Sequence, residues 1–229
     1  MGSRRSGTLL TAVLAALLLW VTGPGASLAD AAAGGACQLQ GVANLSPPLS
    51  TSPASFAYSF SGTLSGCQSN VAGAPMAGTV SAGVQVPETV TLTNTSTGAT
   101  STGTVLYQQP IPQGSGSCGS STTAGVAFAA WGDGRTTVID YTTTGALAAV
   151  QLEGTVVVSV ALALVPSSVP AGYTAPATYT ISTDEPTFPV GEQSLALLTF
   201  SPTTTDQNCE TVPVSSANID GVVAIGSGS

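Results

Sequence analysis

The sequence predicts an all-β protein, an antiparallel β-sandwich, with a closed β-barrel or jelly roll as the alternative. Three observations lead there. Apolar residues recur at every second position, as in Leu39, Ala43 and Leu45 or Phe56, Tyr58, Phe60 and Leu64. Glycine and proline, 27 and 15 of the 229 residues, interrupt those runs at short intervals, as turns between strands require. Beyond the N-terminal apolar run no stretch shows the 3.6-residue period of an amphipathic helix, so the chain resolves into about ten short strands.

The chain opens MGSRRSGTLLTAVLAALLLWVTGPGASLAD, with two arginines, an apolar run from Leu9 to Val21, and small residues ending in Ser27, Leu28 and Ala29. This reads as a secretory signal peptide over residues 1–29, since the run is shorter than the roughly 20 residues of a membrane span. Cleavage after Ala29 takes 29 from 229 and leaves 200 residues. Residues 30–36 follow as a flexible lead-in and 37–226 as a single domain without internal repeats.

Within that domain a first hairpin pairs 37–45 with 56–66 across the turn-rich SPPLSTSP. Short strands are expected at 78–86, 89–94 and 103–108, then a loop over 109–123. A central hairpin follows, turning at Asp133 and Gly134. Setting Trp131 opposite Thr136 places Phe128 against Ile139 and Val126 against Tyr141 on a core face. Trp131, Ala129, Val138 and Asp140 then share the other face, and Trp131, Asp133, Arg135 and Asp140 form the candidate binding face. Residues 145–153 return as a third strand, and 155–165 form one long apolar strand. The proline-marked stretch 166–176 carries the chain from one sheet to the other. Strands at 177–183, 195–200, 210–214 and 218–225 complete the fold.

Four cysteines, Cys37, Cys67, Cys118 and Cys209, in an exported chain read as two disulfides. Cys37 and Cys67 sit at the far ends of the first two strands, which brings them opposite one another, and Cys118 is left to Cys209. In the chain-entropy model such loops contribute about 3.5 to 5 kcal/mol each.

Three basic residues face eleven acidic ones. Two of the arginines lie in the signal, so Arg135 alone opposes eleven carboxylates, a balance of 1 minus 11, or minus 10. Nucleic acid and anionic membrane surfaces need clustered cations and are therefore poor partners, and no nucleic-acid partner is expected. The absence of histidine removes Ser-His-Asp triads and imidazole acid–base work. The absence of lysine removes Schiff-base chemistry. Oxidised cysteines supply neither a nucleophile nor a zinc ligand. Carboxylate chemistry survives, but Glu88, Asp140, Glu153, Glu192 and the Asp184-Glu185 pair show no spacing that singles out two acids facing across a cleft. Asp206, Asn208 and Glu210 alternate as calcium ligands can, yet lack the glycine and bidentate glutamate of the well-known loop. No catalytic residue, metal site or cofactor is expected.

The order C-x-L-x-G-x-A-x-L-S-P-x-L, Y-S-F-S-G-x-L-x-x-C, W-x-D-G-x-T-T-x-x-x-Y, a Gly-Thr-Val strand and a late cysteine before a closing strand resembles exported β-rich proteins of high-GC Gram-positive bacteria. The likeness runs from Cys37 to Ile225. It implies a β fold and no activity, because its motifs are glycines, cysteines and core residues. The expectation is a secreted, non-enzymatic binding or structural module in the medium or at the cell wall, with a cell-wall component or glycan as ligand. A glycosidase-like, carboxylate-dependent hydrolase and a carbohydrate-binding module are the alternatives. The latter needs Trp131, Tyr141, Tyr173 or Tyr179 as an exposed platform.

Overall fold

A computed structural model describes residues 34–146 and 148–226. The expected signal peptide at 1–29 lies outside them. Fourteen strands are present in this part of the chain. They are β1 (Gly35–Leu49), β2 (Ala54–Ser69), β3 (Gly78–Ala82), β4 (Gln85–Asn94), β5 (Thr100–Gln108), β6 (Gln113–Gly116) and β7 (Ser120–Trp131). Then come β8 (Thr136–Ala146), β9 (Ala149–Val157), β10 (Ser159–Leu164), β11 (Tyr173–Thr174), β12 (Thr178–Ser182), β13 (Gln193–Pro202) and β14 (Val214–Ile225).

Eight of these close into a barrel in the order β1, β14, β13, β9, β8, β7, β3, β2, because β2 pairs back onto β1. The sandwich expectation is corrected here, and the barrel alternative holds. Alternating burial is common to both architectures. Closure depends on β1 using both of its edges, Gly41 pairing with Ile219 on one side and with Gly62 on the other. One place in the barrel wall is shared. β3 fills its lower part between β2 and β7, and β6 fills the upper part between the same strands.

Between β3 and β6 the chain leaves the wall to make the β4–β5 hairpin of a second, five-stranded sheet ordered β11, β4, β5, β10, β12. Gln109, fully buried, stitches the exit. Its side-chain nitrogen donates to Ser81 Oγ at 2.9 Å, and its Oε1 accepts from the Val84 amide at 3.3 Å. The second sheet lies over the outer face of β7 and β8. Leu92, Val105, Tyr107 and Leu162 pack there on Phe128 and Val138.

The run 155–165 is not one strand. It breaks at Val158, which is 65% exposed, so that β9 stays in the barrel and β10 enters the second sheet. The step between sheets therefore falls at Val158, ahead of the prolines expected to carry it. Of residues 210–214, only Val214 is in a strand, as the first residue of β14, and a bend leads into it.

The central hairpin is out by one residue from its expected register. Phe128 pairs with Val138, Ala127 with Ile139 and Gly125 with Tyr141. The Trp131 amide bonds to the Arg135 carbonyl, and Gly134 takes φ +88. The loop therefore has three residues, with glycine in the left-handed position such loops favour. An odd loop shifts the parity, and a one-residue shift moves every side chain to the opposite face. Trp131, Ala129, Ile139 and Tyr141 consequently point into the barrel, while Phe128 and Val138 point out beneath the second sheet.

The disulfides join Cys37 to Cys67 and Cys118 to Cys209, the pairing expected. Among the described residues no helix is long and apolar enough to cross a membrane. On the outer wall of the barrel the polar Gln38, Gln40, Ser61 and Thr63 are exposed beside the apolar Val42, Leu195, Leu197 and Val222.

Candidate functional site

Inward-facing positions of an eight-stranded barrel either fill its interior or leave room for one small ligand. In this barrel they leave a cavity of about 150 Å³. Its wall is mostly Leu, Val, Ile, Phe and Ala, such as Leu39, Phe60, Ala127, Leu152, Leu198 and Ile219. Glycines set its shape where rings lie flat on the wall. A Cβ on Gly41 would come within 2.5 Å of the Phe60 ring and 2.9 Å separates that ring from one on Gly62.

Polar atoms enter the cavity wall at Tyr58, Ser121, Thr123, Tyr141, Thr143 and Ser194. Four of them form a chain of hydroxyls. Tyr141 and Tyr58 are 2.5 Å apart, Tyr58 and Thr123 3.1 Å, and Thr123 and Thr143 2.8 Å. Burial raises the Tyr58 phenol above its ordinary value of 10.0, although its hydroxyl partners oppose the shift. Tyr141 is raised well above that value, by burial first and then by Tyr58. Both rings are therefore neutral at ordinary pH. Ser194 stands apart, fully buried, with an Oγ that has no hydrogen-bond partner in the protein. The ladder runs from Tyr141 through Gly154 to Ser194. Two strand spacings, about 10 Å, thus separate the Cα atoms of 141 and 194.

One end of the barrel is floored by Trp131 and Phe188, with ring centroids 5.2 Å apart, next to the Cys37–Cys67 disulfide. The Phe188 loop is tied down from both sides. Asp184 and Glu185 donate their amides to the Thr136 carbonyl, the Asp184 carboxylate accepts from the Thr136 amide at 2.6 Å, and the Gly191 amide reaches Val156. At the other end Leu45, Leu49, Phe56 and Val214 pack beneath the Cys118–Cys209 bridge.

The expected binding face does not assemble. Trp131 is 4% exposed and its indole N–H donates to Thr137 Oγ1 at 2.8 Å inside the floor. Asp133 and Arg135 lie on the exposed loop, with the Asp133 carboxylate accepting from the Arg135 amide. Asp140 is exposed on the outer wall. The expected Arg135–Asp133 ion pair is present at 3.8 Å, joined by an unforeseen partner, Glu185, at 3.9 Å. With Trp131 and Tyr141 buried, the aromatic platform required of a carbohydrate module loses those two rings. Of the calcium candidates, Asn208 is occupied as a turn cap. Asn208 Oδ1 accepts from the amides of Glu210, Thr211 and Val212, and no group of three or more metal-ligating side chains occurs among the described residues.

Tyr58 and Tyr141 were legible as core residues, but their contact depends on the register that the hairpin loop decides. Ser194 had a readable signal. Extending the alternation of Ala196 and Leu198 back by one step puts it on the inward face. No known protein family, curated protein or solved structure matches the chain.

Proposed function

We propose that this is an exported, non-enzymatic binding protein that carries a small apolar molecule in the lumen of its barrel. The observation that supports this reading is the cavity of about 150 Å³ inside an otherwise close-packed domain. Protein interiors normally lack voids larger than a water molecule, and an apolar cavity of this order accepts a benzene-sized ring. Carrying such a molecule outside the cell fits two disulfides and an acidic outer surface.

Toluene titrated into the oxidised protein tests the reading, with heat of binding and thermal midpoint as readouts. Saturating toluene raises the midpoint by linkage. Ala127→Leu, which adds three carbons to the cavity wall, weakens that rise. If the native protein gives neither heat nor a shift, the lumen is not a binding site.

A further inference from the structure

The reading of the lumen as a binding site leaves the chemistry of its occupant open, and Ser194 speaks to it. A hydroxyl carries one proton to donate and lone pairs to accept with. Buried polar groups in folded proteins nearly always find a partner, because leaving one unmade forfeits its solvation. Ser194 is 0% exposed, its Oγ has no partner, and it lines the cavity. Its ladder neighbours offer no rescue, since Gly154 lies on one side and Ile225 on the other.

The hydroxyl chain that begins two strands away behaves differently. Tyr141, Tyr58, Thr123 and Thr143 hold four protons and make three mutual hydrogen bonds. The chain is satisfied among its own members and keeps one O–H in reserve. Besides Ser121, the lumen therefore presents an unpartnered hydroxyl at Ser194 and one spare donor on the hydroxyl chain two strands away. Among the described residues its wall carries no cation and no carboxylate. Burying an ion without a counter-charge is far more costly than burying a neutral polar group.

Building on the lumen reading, we propose that the occupant is an uncharged, benzene-sized molecule bearing one hydroxyl or carbonyl oxygen, and that this oxygen is hydrogen-bonded by Ser194 Oγ. The apolar wall holds the carbon frame, and Ser194 selects for the oxygen. An acid of the same shape is rejected, since nothing in the lumen balances its charge.

Calorimetric titration of the oxidised protein with toluene, benzyl alcohol and benzoate tests this, in the native protein and in Ser194→Ala. The expected result is that toluene and benzyl alcohol bind, benzoate does not, and Ser194→Ala lowers the ratio of alcohol to toluene affinity about five-fold. The alanine variant keeps its thermal midpoint within a few degrees and its toluene affinity, which shows an intact lumen. Binding of both neutral ligands with a ratio unmoved by Ser194→Ala overturns the role of Ser194 and leaves the lumen reading standing. Binding of benzoate as tightly as benzyl alcohol overturns the selection for uncharged ligands. Failure of both neutral ligands overturns the lumen reading itself.

Discussion

Arg135 and Glu185 meet at the floor of the barrel, with Arg135 Nη1 3.9 Å from Oε2 of a carboxylate whose side chain is fully buried. The other oxygen of Glu185 accepts from the amide and hydroxyl of Thr187, while Oε2 has no hydrogen bond of its own. The arginine, half exposed, also reaches Asp133. Two acids thus share the one cation among the described residues.

Removing that cation leaves a buried carboxylate without a counter-charge, a more costly defect than the loss of a surface pair. Arg135→Ala is expected to destabilise the fold by about 2 kcal/mol in urea unfolding. Asp133→Asn should cost less than about 1 kcal/mol. Adding Glu185→Gln to Arg135→Ala should recover part of the loss, because residues in contact are not additive. Full additivity would show that the pair is not coupled.

The two lumen tyrosines make stability fall on the alkaline side. Each has a folded-state pKa above the ordinary 10.0. Their contribution is whole below about pH 10 and is lost as pH rises through the folded values, because the unfolded chain gives up its phenolic protons first. Unfolding free energy measured from pH 9 to 11 should decline, and Tyr141→Phe should flatten part of that slope. An unchanged slope in the variant would remove Tyr141 from the account.

The two disulfides should differ in reducibility. Cys37 and Cys67 are 6% and 3% exposed in the barrel floor, whereas Cys118 and Cys209 are half-buried in surface loops. Limited dithiothreitol followed by alkylation and peptide mapping should label Cys118 and Cys209 first. Losing the Cys118–Cys209 link, which spans 91 residues, costs about 4.5 kcal/mol on the chain-entropy estimate.

Gly41→Ala drives a methyl to 2.5 Å from both the Phe60 ring and the Ser61 carbonyl oxygen. The ring can move and the backbone cannot, so a loss of about 2 kcal/mol or more is expected. Combining it with Phe60→Leu should restore only part. Thermal unfolding of the two variants measures the difference.

The strands were legible in the sequence because period-two burial is local. Leu39, Ala43 and Leu45 reveal their face without knowing their neighbours. What joins those strands is not local. The barrel closes through β1 against β14, residues nearly two hundred positions apart along the chain, and alternation looks the same in an open sheet. The central hairpin shows the sharper limit. One residue more or fewer in the Gly132, Asp133, Gly134 loop exchanges Trp131 and Phe128 between lumen and outer wall, and both residues suit either place. Phe188 went unread for another reason. It lies in a loop, where no periodicity identifies a buried ring.

Closure of the barrel also decides where this protein can exchange strands with a copy of itself. A closed ring offers no unpaired backbone, so self-templated polymerisation cannot begin there. Within the described residues the open margins belong to the second sheet, β12 with five residues on one side and, on the other, β11 with two and the part of β4 from Gln85 to Leu92 that β11 leaves uncovered. On β12 the exposed positions are Thr178, Thr180 and Ser182, small hydroxyl residues that leave its backbone uncovered. Edge-to-edge growth of this chain would therefore start on the second sheet, at β12 or at the uncovered edge of β4.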